Sequence, residues 1–75
     1  MYSPTTQQLE QNDKAFRYHP PKENQPERYE RLRAMAGQLA HAYVTNCPPS
    51  RELSLALTKL EEAVMWANAS IARNE

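Results

Sequence analysis

The chain has 75 residues, and its nine Lys and Arg balance nine Asp and Glu, so the formal charge at pH 7 is zero. That length allows one small domain at most, at a size where a single hydrophobic core is marginal without staples or partners. One cysteine rules out an intramolecular disulfide and a cysteine-based zinc site, the interspersed charges argue against a DNA-binding or membrane-binding polycation, and no run of about 18 apolar residues is present to span a bilayer. A reducing cytoplasm is the expected compartment, with Cys47 a structural free thiol rather than a nucleophile. No apolar run follows Met1, so secretion is not expected either.

Residues 1–26 form the first expected piece, a short helix followed by a proline-containing strap. In "SPTTQQLEQND", Ser3 suits an N-cap and Pro4 the first helical position, although an isolated helix of this length is marginal in water. The stretch "FRYHPPKENQP", residues 16–26, reads as extended. Its adjacent prolines hold their own φ and push the preceding residue out of the helical region. Phe16, Tyr18 and His19 on this strap are candidates for packing or for facing a ligand.

Residues 27–75 read as a helical hairpin domain. Tyr29, Leu32, Ala36, Leu39 and Tyr43 recur at three- and four-residue spacing, one stripe of an amphipathic helix from Glu27 to about Asn46. "NCPPS" stops that helix. Beyond it, Leu53, Leu57, Leu60, Val64, Ala67 and Ile71 make a second stripe ending near Arg73. So short a break suits an antiparallel pair. Gly37, the only glycine, sits inside the first of these helices, where it costs about 1 kcal/mol relative to alanine. It is either a point of close approach by a helix or ligand, or a tolerated residue.

Two helices cannot enclose a core, because each covers only one side of the other. On the second helix Ala56, Ala63, Met65, Trp66 and Ala69 remain once the intrahairpin seam is assigned. Such a leftover apolar surface points to self-association, with Ala63, Met65, Trp66 and Ala69 as the contact between hairpins. The alternative is a monomer whose strap folds back over Trp66. The fold class expected is therefore all-α: an antiparallel two-helix hairpin with a short N-terminal helix and an extended strap, assembled into a helical homo-oligomer.

Nothing in the sequence assembles a catalytic or metal constellation. His19 and His41 lie in different elements without a carboxylate at ligand spacing, and there is no glycine-rich phosphate loop or nucleophile elbow. Glu61 and Glu62 are neighbours on a helix, so they point about 100° apart and belong to a solvated face. No enzyme activity, metal or cofactor is expected. Binding is chemically open: Arg28, Arg31, Arg33, Arg51 and Arg73 offer donors for phosphate oxygens, and Phe16, Tyr18 and Trp66 offer rings for stacking on bases. Taken singly, each reads more simply as surface charge or interface core.

The two stretches "FRYHPPKENQPERYERLRAMAGQLA" and "CPPSRELSLALTKLEEAVMWANASIARNE" closely resemble the hairpin domain shared by phage anti-CBASS and anti-Thoeris cyclic-nucleotide sponges. The resemblance covers most of the chain and rests above all on "SLALTKLEEAVMWANASIAR". It implies a small helical protein of the host-cell cytoplasm that assembles into a homohexamer. Such a protein sequesters cyclic dinucleotides such as cyclic GMP-AMP, cyclic trinucleotides or cyclic ADP-ribose derivatives without cleaving them. Only a short polar lead stands where anti-Thoeris members add a domain, so the chain looks like the minimal anti-CBASS type. Carried over by position, the family's dinucleotide pocket implies Tyr18 in "FRYHPP" and Arg33 in "RLRAM" as ligand contacts, the latter a lysine in the more familiar pattern. Arg73 in "SIARNE" matches the residue implicated in trinucleotide binding, and His19, Pro20, Ser54, Thr58 and Lys59 stand second. The competing expectation is a helical oligomeric adaptor that binds a host protein through the Trp66 surface.

Overall fold

Three α-helices and no strand make up the computed structural model, which describes residues 1–75: α1 (Thr6–Phe16), α2 (Gln25–Asn46) and α3 (Arg51–Asn74). The all-helical hairpin read from the sequence is thus present, with α2 and α3 joined by residues 47–50. Local chemistry sets the ends. Cys47 is extended at φ −121° and ψ 139°, as a residue before proline must be, and the Ser50 hydroxyl accepts from the Leu53 N–H at 3.1 Å to cap α3.

The first helix starts later than Ser3 and Pro4 suggest. Thr5 is the N-cap, because Thr5 and Gln8 form a reciprocal capping box: the Gln8 N–H donates to Thr5 Oγ1 at 3.1 Å and the Thr5 N–H donates to Gln8 Oε1 at 2.9 Å. Two satisfied donors outweigh a proline's preset φ. At the other end α1 runs through Phe16, and α2 begins at Gln25, ahead of Glu27, with Pro26 in its first turn. The non-helical connector is therefore residues 17–24.

Packing is confined to one seam. Leu53, Leu57, Leu60, Val64, Ala67 and Ile71 are all half-buried, as their spacing predicts. On α2 the inward line is Tyr29, Leu32, Ala36, Ala40 and Tyr43, and Leu39 lies exposed. Leu39 sits about 100° around the helix from Ala40, and the smaller residue takes the seam.

No apolar side chain is fully buried, and α1 makes no packed interface with the hairpin comparable to that between α2 and α3. The molecule is a slab of 49 × 39 × 13 Å. Its radius of gyration is 16.7 Å, against about 11 Å for a compact domain of this length.

Candidate ligand-binding site

The hairpin seam is flanked by hollows that meet at Arg33. One, of about 360 Å³, is floored by Ala36, Gly37 and Ala40 of α2 facing Leu57, Leu60 and Val64 of α3, with Arg33 and Glu61 at its polar edge. The second, of about 380 Å³, is lined by Tyr29, Arg33, Asn68, Ala69 and Ala72. Small side chains are what open these grooves. A methyl group built on Gly37 would meet nothing within 4 Å, so packing inside the chain does not require glycine there. Arg33 itself is exposed and takes part in none of the ion pairs, which leaves its guanidinium donors unengaged by carboxylates.

A third hollow, of about 390 Å³, lies along the outer face of α3 between Thr58, Glu61, Glu62, Met65 and Trp66. Met65 is 67% exposed and Trp66 60% exposed, so the leftover apolar surface expected from the sequence is uncovered in this chain. Arg73, two turns on from Trp66, is half-buried with its guanidinium carbon 5.9 Å from the indole centroid. That is cation–π distance. Ala63 is exposed on the same helix, whereas Ala69 is half-buried in the second groove beside Arg33.

The end of α1 and the connector display rather than bury their aromatics. Phe16 is 85% exposed and Tyr18 80% exposed. His19 is half-buried, with Nε2 at 2.9 Å from the Lys14 carbonyl oxygen. A carbonyl only accepts, so Nε2 carries the proton and closes one orphan carbonyl in the last turn of α1. Pro20 is exposed beside it. Tyr18, His19 and Pro20 line none of the three hollows, so within one chain Tyr18 and Arg33 do not share a groove.

The remaining candidates have ordinary local partners. The Ser54 hydroxyl donates to the Ser50 carbonyl at 3.2 Å, and Lys59 Nζ is 3.6 Å from Glu62 Oε2 on an exposed face. Both are local helix-surface contacts of small weight.

Sequence reasoning missed a polar cluster at the open end of the hairpin. Gln25 is the one buried residue, at 3% exposure. Its Oε1 accepts from the Lys22 N–H at 2.9 Å and its Nε2 donates to Glu75 Oε1 at 3.3 Å. Arg28 donates to both Glu75 carboxylate oxygens, one at 2.9 Å, and Lys22 Nζ donates to the Glu75 backbone carbonyl. The Arg28 hydrogen bonds, then the Gln25 amide, hold the Glu75 carboxyl down at about 2, with desolvation opposing them. Glu75 in turn raises Arg28, chiefly through the same hydrogen bond. The cluster joins residues 47 to 53 positions apart, and no spacing rule announces it. Asn68 Oδ1, in the groove beside Arg33, is buried without a hydrogen-bond partner in the chain, a second polar feature that sequence does not show.

No curated protein and no solved structure matches the chain at significant similarity. A sequence model of the Acb2/Tad1 hairpin domain does match it, over residues 8–72, from the first turn of α1 to the last turn of α3. That span takes in α2, the 47–50 turn, the seam and the grooves at Arg33. The chain therefore belongs to the Acb2/Tad1 hairpin family, a sponge-type binding family associated with the sequestration of cyclic nucleotides.

Proposed function

We propose that this protein is a phage-encoded counter-defence sponge, closest to the minimal anti-CBASS type, that acts in the host-cell cytoplasm. It binds cyclic dinucleotide immune messengers such as cyclic GMP-AMP, and cyclic trinucleotides at a separate site, and holds them intact without metal or cofactor. The match over residues 8–72 to a family associated with cyclic-nucleotide sequestration carries this reading.

The physical chemistry of the chain supports it. Arg33 offers paired donors at the meeting point of two small-residue grooves, and such donors suit phosphate oxygens. Tyr18 offers a free ring for a base, and stacking of this kind tolerates any base because every base has a π-face. Tyr18 and Arg33 belong to different surfaces of one chain, so the pocket that uses both is completed by a second copy. A chain with no fully buried apolar side chain, and with Met65 and Trp66 uncovered, has the surface for such an assembly. We assign it as a homohexamer, with Ala63, Met65, Trp66 and Ala69 among its contacts and Arg73 at the trinucleotide site. Sequestration then works by mass action: the messenger is removed when sites outnumber it and bind more tightly than the immune effector does.

The test is to incubate the protein with cyclic GMP-AMP or cyclic tri-adenylate, separate it from free nucleotide, denature it and identify what is released. Intact nucleotide is expected, in a ratio per assembly that native mass spectrometry reports together with the subunit count. Linear products would replace the sponge with a phosphodiesterase. Absence of binding to every cyclic nucleotide would favour the adaptor reading, in which the exposed Met65 and Trp66 surface takes a host protein.

A further inference from the structure

In the N-terminal arm, α1 with its connector, the helix makes no packed interface with the hairpin comparable to the α2–α3 seam. What fixes it in place is a short series of polar contacts, and these converge on the last two residues of the described chain. Lys14 Nζ donates to Asn74 Oδ1 at 3.3 Å, which ties the end of α1 to the end of α3. Eight residues on, Lys22 Nζ donates to the Glu75 carbonyl, and the Lys22 N–H is held at 2.9 Å by Gln25 Oε1. Gln25 is itself oriented by Glu75 Oε1 at 3.3 Å, and Arg28 grips the same carboxylate. Between Lys14 and Lys22 lie Tyr18, His19 and Pro20, and His19 closes back onto Lys14.

We propose that Glu75 is a positioning residue for ligand binding: by holding Lys22, Gln25 and Arg28, it sets the pose of the connector that presents Tyr18, His19 and Pro20. The charged and polar groups facing it are Arg28, Gln25 and Lys22, with Tyr29 beside Arg28 and the Lys14–Asn74 contact next along. The Glu75 side chain holds Arg28 and the Gln25 amide, whose Oε1 in turn fixes the Lys22 N–H. Its loss therefore loosens the connector through Gln25 without opening α2 from α3, while the Lys22 Nζ contact to the Glu75 backbone carbonyl stays. Freed residues must be ordered again on binding, and that entropy is subtracted from affinity. The inference rests on the reading of Tyr18 as a ligand contact, and the experiment below separates the two.

The experiment uses the full chain with Glu75→Ala and the charge-keeping Glu75→Asp, and reads two quantities. The first is amide hydrogen exchange of Lys22 and its neighbours without ligand. The second is affinity for cyclic GMP-AMP. Glu75→Ala is expected to speed Lys22 exchange and to weaken binding by about two- to fivefold, the effect of losing one exposed charge cluster. Exchange in the middle of α2 and α3, and the subunit count, stay as in the unsubstituted protein. Glu75→Asp restores most of both effects, since the long Arg28 and Gln25 side chains can follow a carboxylate one methylene shorter. Unchanged Lys22 exchange in Glu75→Ala overturns the proposal whatever the ligand does. Faster exchange with unchanged affinity also overturns it, because the connector pose is then not limiting. If the unsubstituted protein binds no cyclic nucleotide, the sponge reading and the ligand-positioning role both fall, and Lys22 exchange still decides whether Glu75 holds the connector.

Discussion

The hairpin and the N-terminal arm are built by different forces. The hairpin is an apolar seam in which six side chains of α3, from Leu53 to Ile71, face the Tyr29 to Tyr43 line of α2. Burial of this kind is non-directional and survives small changes of angle. The arm has a capped helix and no apolar seam, and polar contacts at Asn74 and Glu75 hold it. Such contacts are directional, individually weak at an exposed site and sensitive to charge. The difference divides labour in the proposed sponge: a seam that keeps the Arg33 grooves in shape, and an adjustable arm that brings Tyr18 to the ligand.

The largest effect is expected from breaking the seam. Leu60→Ala removes a half-buried side chain at the centre of the α2–α3 contact and is expected to cost about 2 kcal/mol, the low end for such truncations. Thermal or denaturant unfolding measures it, and an effect under a few tenths of a kcal/mol would mean that the seam is not the source of stability. Next comes Tyr18→Ala, expected to weaken dinucleotide binding about tenfold through loss of stacking while leaving the assembly intact. Calorimetry and native mass spectrometry read the two sides of that claim, and dissociation of the oligomer would make Tyr18 structural.

Gly37→Ala sharpens the comparison from the groove beside the seam. With nothing within 4 Å of the added methyl, helix propensity alone predicts a gain of up to about 1 kcal/mol. Loss of stability, or loss of the oligomer, would instead show that a second copy or a ligand approaches the α2 backbone there.

The smallest effect is the pH response of the arm. The Glu75 carboxyl is held at about 2, below the ordinary 4.5, so it loses its proton more readily in the folded chain. Its contribution is therefore fully present above pH 4.5 and is lost as pH falls through about 2. Lys22 amide protection relative to Glu75→Ala is expected to stay constant from neutral pH down to that upper value and to vanish near the lower one. A difference that already disappears above pH 5 would mean that Arg28 and Gln25 do not hold the carboxylate.

Much of the hairpin was legible because apolar periodicity and turn chemistry are local. "NCPPS" stops one helix, Ser50 caps the next, and the Leu53 to Ile71 stripe lies where its spacing puts it. Leu39 was misplaced for a reason of the same scale: several three- and four-residue registers fit the α2 sequence, and α3 selects the one in which Ala40 lies inward. The start of α1 was misplaced because two capping signals overlap at Ser3 and Thr5, and the Gln8 side chain decides between them. The family assignment was legible for a different reason, since a long mixed segment carries identity that composition does not.

The sequence by itself determined that this chain is helical, that its two long helices pair, and that one face of the second is left over, because these follow from side-chain period and backbone chemistry within a few turns. Only the tertiary structure decided that Arg33 stands where two grooves meet, that the Arg73 guanidinium lies at cation–π distance from Trp66, and that Lys22, Gln25, Arg28 and Glu75 form one cluster. The polar cluster joins the end of the connector and the start of α2 to the end of α3, and its members become neighbours only after the hairpin has closed.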